Sequence, residues 1–154
     1  MVIQLLVGAL VSVINIMIHA LATVSAISVA RQAGRKHTQW PRIHLMSVMV
    51  ATVLVLMLVH TIEVAVWALA YAIVNAAPEG SDLLYFAFVN YCTLGYGDIT
   101  PVKEWRLIGP IASMNGILLF GWSTAVLFEV LLKTIERLAA IAPPGSAFSA
   151  EDRG

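Results

Sequence analysis

The stretch Leu83-Leu84-Tyr85-Phe86-Ala87-Phe88-Val89-Asn90-Tyr91-Cys92-Thr93-Leu94-Gly95-Tyr96-Gly97-Asp98-Ile99-Thr100-Pro101 decides how this chain folds. Residues 83–97 carry no charge, yet they number only 15. As helix they rise about 22 Å, short of a hydrocarbon core roughly 30 Å thick. They are also too apolar for a surface loop. Ser81 and Asp82 just before them have the side chains that cap helix N-termini. The reading is a short helix over 82–92 that enters a membrane and returns as non-helical chain over 93–98. Such backbone is tolerated at that depth only where protein buries it or water bathes it.

Long apolar runs flank this segment. Residues 1–30 contain no Asp, Glu, Lys or Arg, and as helix they rise about 45 Å, enough to cross with tilt. A cleavable signal peptide does not fit, because the positively charged start is missing and the apolar run is too long. A second span is expected over 43–77, opened by Pro41 and closed by Pro78-Glu79-Gly80, with Glu63 its one acid. A third is expected over 105–138, uncharged from Leu107 to Phe128. Residues 31–42 form a basic linker, and 139–154 a short polar tail too small for a regulatory domain. Positive charge orients the spans. Arg31, Arg35, Lys36 and Arg42 in the linker, with Lys133, Arg137 and Arg153 after the third span, outnumber Lys103 and Arg106 on the other side. The linker and C-terminus are therefore expected in the cytoplasm, with the N-terminus outside.

Composition agrees with a small integral membrane protein. Of 154 residues, 60% are apolar and 12% charged, and the mean hydropathy is +0.87. A soluble domain carries about 25% charge. A net charge of zero removes any case for nucleic-acid binding through bulk positive charge. The single cysteine, Cys92, excludes an intrachain disulfide framework and a cysteine-cluster metal site.

A desolvated cation needs a cage of oxygens, and backbone carbonyls supply dipoles without the full charge that would trap it. Gly95 and Gly97 permit positive φ, so successive carbonyls can turn toward one axis, and Thr93 adds a hydroxyl. One such strand cannot surround an ion, so several chains must converge. The run Thr93-Leu94-Gly95-Tyr96-Gly97-Asp98 resembles the selectivity filter of the potassium channel family, usually Thr-Val-Gly-Tyr-Gly-Asp. The resemblance covers about Ser81 to Phe128. It implies a pore helix, filter and inner helix in an all-α homotetramer. Potassium is then held by the carbonyls of Thr93, Leu94, Gly95 and Tyr96, completed by Gly97.

Around the filter the resemblance assigns support to Asp98, Cys92, Val89 and Phe86. Leu94 replaces the common Val with its carbonyl kept. Cys92 stands where the family usually has a second Thr. Val89 stands where some bacterial members carry a Glu bonded to the filter Asp, so inactivation through that carboxyl pair is not expected. Aromatics of the pore helix brace the filter Tyr in the family; for Phe86, Phe88, Tyr85 and Tyr91 here simple lipid contact is the alternative, and for Tyr85 and Tyr91 the two stay open. A helix C-terminus at Cys92 points partial negative charge at the cavity below.

In the third span Gly116 is the leading hinge candidate and Gly121 the second. Close helix packing is an equally weighted reading of both. Asn115 and Ser113 are placed facing the cavity, with a bond to a neighbouring helix the equal alternative for Asn115. Glu129 pairs with Lys133 at i,i+4 or joins a carboxylate ring at the inner mouth. Gly8, Ser12, Asn15, His19, Ala22 and Ala26 place small and polar residues on one stripe of the first span, a packing face. His60 and Glu63 share a face of the second span and form either a static clasp or a proton-sensitive pair, within reach of Asn15 and His19. No arginine repeat is present, so a voltage sensor of the usual kind is not expected.

The sequence thus leads to a non-enzymatic, potassium-selective channel subunit: a multi-pass protein of the plasma membrane. It is expected to need no cofactor beyond potassium ions, and to have a bilayer and copies of itself as partners rather than nucleic acid or a small-molecule substrate. The rival readings are a silent or regulatory channel subunit and a potassium transporter subunit. A transporter of this ancestry carries four pore segments in one chain, usually with one glycine each. An intramembrane enzyme using His60 and Glu63 lacks a metal cluster, a nucleophile motif or a second placed base.

Overall fold

The computed structural model describes residues 1–33 and 40–141, with the side chains of 29–33 and 141 left aside. The tail beyond 141 and most of the linker lie outside the described residues. The elements are α1 (Val2–Ala33), α2 (Pro41–Val74), α3 (Leu83–Tyr91), a 3-10 turn at Lys103–Trp105, and α4 (Ile108–Ile141). The protein is all-helical, and α1, α2 and the segment Lys103–Ala140 are each long and apolar enough to cross a membrane.

Most boundaries shift by a few residues from the sequence reading, and two of the shifts have a clear local reason. The second span stops at Val74 rather than Ala77 because Asn75 adopts φ +51°. Ala76 N–H then bonds Tyr71 C=O at 3.0 Å and Asn75 N–H bonds Ala72 C=O at 3.4 Å, a left-handed C-terminal cap. Asparagine is the residue after glycine that accepts this conformation most readily. The third span becomes α-helical at Ile108, not at Trp105, after the 3-10 turn. Pro110 falls in its first turn, where a missing N–H costs nothing.

The chain divides into two compact units. Of the described residues, the first comprises 1–21 and 58–122, and the second 22–33, 40–57 and 123–141. The first holds the larger core, in which Trp67 and Tyr71 of α2, Phe86 and Tyr91 of α3, and Ile108 and Ala112 of α4 are all buried. Within residues 1–21 of α1 the buried positions are Gln4, Gly8, Val11, Asn15 and His19, a stripe at spacings of four and three. A Cβ on Gly8 would lie 2.8 Å from Ile111 of α4, so this glycine sets how closely α1 approaches. Gln4 also accepts the Leu107 N–H at 2.9 Å, satisfying a donor at the mouth of α4. In the second unit Val48, Val126 and Val130 form a small apolar cluster. Glu129 and Lys133 are ion-paired there, the surface-pair alternative of the two readings of Glu129.

Candidate functional site

The short helix α3 begins where its chemistry dictates. Asp82 is the N-cap, and its side chain accepts the Tyr85 N–H at 3.0 Å. Nine residues later α3 ends, and the chain leaves it through three backbone bonds. Cys92 N–H reaches Phe88 C=O at 2.9 Å, Thr93 N–H reaches Asn90 C=O at 3.0 Å, and Leu94 N–H reaches Val89 C=O at 2.9 Å. Val89 is buried, so it supports the start of the strand through its carbonyl while its side chain packs.

From Thr93 onward the sign of φ alternates. Thr93 is at +59°, Gly95 at +61° and Gly97 at +77°, whereas Leu94 and Tyr96 are not among the positive-φ residues. Reversing φ at every second residue brings consecutive carbonyls to one side of the chain, instead of the opposite sides of a β-strand. Glycine takes this backbone freely. Thr93 does not, and a β-branched residue there carries a cost on the order of 1–3 kcal/mol, the kind of strain that collects at functional sites. This extended segment is exposed, with Leu94 at 54% and Tyr96 at 67%, so the rest of the chain does not enclose it.

The outer end of the strand is tied back to α3. Tyr85 Oη donates to Asp98 Oδ2 at 2.7 Å, and Ile99 N–H donates to Asp98 Oδ1 at 3.0 Å. The Tyr85 hydroxyl, with the Ile99 amide behind it, holds the Asp98 carboxyl below its ordinary value, and Asp98 in turn pushes the Tyr85 phenol up. The phenol–carboxylate bond is therefore complete above the ordinary carboxylate pKa and is lost as pH falls through the lowered one. In Tyr85→Phe the Asp98 titration moves upward, measured by carboxyl NMR. An unmoved titration would deny the bond its role. Phe86 lies against Tyr71 of α2, with ring centroids 5.1 Å apart.

The inner end is held from three sides. Ser113 Oγ of α4 donates to Asn90 C=O at 2.6 Å. A Cβ at Gly116 would sit 2.2 Å from the Tyr91 carbonyl oxygen, so α4 touches the last turn of α3 with its backbone. Gly121 has open space around it. Asn115 is buried, and its Oδ1 accepts from Asn15 Nδ2 and from Trp67 Nε1, each at 3.1 Å. Of its two sequence readings, the neighbouring-helix bond is the one realised.

The third side is a buried polar cluster. Glu63 is fully buried, yet its carboxylate has three partners. His19 Nδ1 lies 2.9 Å from Oε1, His60 Nδ1 lies 2.8 Å from Oε2, and Tyr91 Oη donates to Oε2 at 2.6 Å. Asn15 Nδ2 adds a bond to the Glu63 carbonyl at 3.2 Å. The i,i+3 spacing of His60 and Glu63, and the polar stripe of α1, made much of this legible. Tyr91 was placed in sequence only as an aromatic near the filter, and nothing in the sequence signals that its hydroxyl reaches Glu63. Through Tyr91 the cluster grips the residue that precedes Cys92 and the strand.

The parts form one construction: a capped nine-residue helix, an exposed non-helical segment with alternating φ sign, and a long apolar helix packed against them. The curated proteins and the solved structures contain no match to the chain. A family model described as "Ion channel" matches residues 43–133, more than half of the sequence. That range holds α2, α3, the strand and most of α4, and leaves α1 outside. The chain belongs to the ion channel family, of the potassium channel type with two membrane helices around the pore segment, and is a multi-pass membrane protein.

Proposed function

We propose that the protein is a potassium-selective channel subunit that conducts passively as a homotetramer. The observation that carries the reading is the positive φ at Thr93, Gly95 and Gly97 on a strand left exposed by its own chain. Four such strands around an axis would present rings of carbonyls from Thr93, Leu94, Gly95 and Tyr96. Carbonyl rings replace the hydration shell of the ion. The C-terminal end of α3, near Cys92, adds partial negative charge toward the cavity below, which favours a cation. The surplus of Lys and Arg in the linker and after α4 favours a cytoplasmic C-terminus and an outward-facing filter in the plasma membrane.

Potassium efflux from liposomes containing the purified tetramer tests this reading. Efflux that barium blocks is the expected result. An intact tetramer with no efflux under any voltage would leave the silent-subunit reading in its place.

A further inference from the structure

The stretches 1–30, 43–77 and 107–128 contain no Lys or Arg, so the buried Glu63 carboxylate has no permanent cation to face. Its counter-charge is either a proton on a histidine or a bound metal ion. A single proton needs only one imidazole. Two converge here, from different helices, each through Nδ1 and each on its own carboxylate oxygen. A hydrogen-bonded pair does not require the second.

We infer that His19, His60 and Glu63 form a binding site for a zinc-class divalent cation. Two imidazole nitrogens and one carboxylate oxygen are a donor set suited to zinc and the neighbouring transition metals, and one that a fourth ligand completes. The donor atoms of the three residues all lie within 4.8 Å of one another. Ligands about 2.0–2.1 Å from a zinc ion stand about 3.3 Å apart in a tetrahedron, so small side-chain rotations close the set. The outer partners are also in place. Tyr91 Oη donates to the carboxylate, as the second layer of a metal site characteristically does. Asn15, one turn ahead of His19 on the same face, is fully buried, and its Oδ1 has no hydrogen-bond partner among the described residues. That leaves an oxygen with bonding capacity to spare beside the cluster.

Such a site would do two things. It would fasten α1, which lies outside the matched channel region, to α2 by bonds stronger than hydrogen bonds. Through Glu63 and Tyr91 it would also place the ion two bonded contacts from the end of α3. Binding does not depend on conduction, so the inference stands or falls apart from the channel reading.

The test uses the full chain, stripped of metal with a chelator, in a His37→Gln/His44→Gln background that leaves His19 and His60 as the sole histidines. Cobalt(II) is titrated as a spectroscopic probe and zinc as its competitor. The expected result is one cobalt per chain with the intense visible absorption of four-coordinate Co(II), displaced by zinc. Tyr91→Phe, which removes an outer partner, weakens binding about 10–100-fold, and His19→Gln weakens it by more. X-ray absorption of the zinc-loaded background protein adds a readout that does not depend on the folding of His19→Gln, and should show scattering from two imidazoles. Absence of cobalt and zinc binding, or a bound ion without imidazole, overturns the inference and leaves Glu63 held by protons alone. Unweakened binding in a folded His19→Gln overturns it equally.

Discussion

Replacing Gly95 or Gly97 with alanine is expected to abolish potassium current while the chain still inserts in the membrane. Both residues sit at positive φ, +61° and +77°. A Cβ at either position meets nothing within 4 Å in its own chain, so the damage is not a clash. It comes from the backbone, because a side-chain-bearing residue pays about 1–2 kcal/mol for left-handed φ. In a tetramer that cost is met in every strand of one ring at once, on the order of 4–8 kcal/mol in all. The cheapest relief is to flip the peptide, which turns a carbonyl away from the axis. Patch recordings or liposome flux read the outcome, with surface labelling as the insertion control. Unchanged selectivity for potassium over sodium in Gly95→Ala would contradict the assignment of Thr93 to Gly97 as the filter.

Gly116→Ala is expected to destabilise the protein and displace the end of α3, rather than simply stiffen a hinge. The new Cβ would stand 2.2 Å from the Tyr91 carbonyl oxygen and 3.2 Å from the first ring carbon. The oxygen belongs to backbone and cannot rotate aside. Overpacking a core usually costs about 1–3 kcal/mol, and a contact this short against a main chain lies at or beyond the top of that range. Because Tyr91 also donates to Glu63, the shift would reach the buried cluster as well as Cys92. Thermal unfolding in detergent should show a lower midpoint for Gly116→Ala. Gly121→Ala is the matched control, since open space surrounds it and alanine is the better helix former by about 1 kcal/mol. Equal midpoints for the two variants would return Gly116 to the hinge role that its place mid-helix suggested.

Much of this was legible in the sequence because the constraints were local or periodic. Asp82 caps from its own side chain, and the stripe on α1 follows from spacings of three and four. His60 and Glu63 meet because three residues of helix bring them to one face. What stayed hidden depended on tertiary contact. A glycine in a helix reads as hinge or as packing point until something is found against it, and for Gly116 that is a carbonyl. The brace on Asp98 comes from Tyr85, 13 residues earlier, across a turn whose geometry no periodicity encodes. Thr93 hid its left-handed backbone because β-branched residues almost never adopt it. The stop at Asn75 was masked by the apolar Ala76 and Ala77, which extend the hydrophobic run past the true cap.

The central claim is that the strand from Thr93 to Gly97 selects potassium, and a reversal potential measures selectivity directly. Purified protein in a planar bilayer, with potassium on one side and sodium on the other at equal concentration, is expected to pass current. That current should reverse far from zero, in the direction that marks potassium as the permeant ion. A robust current reversing at zero would contradict the account.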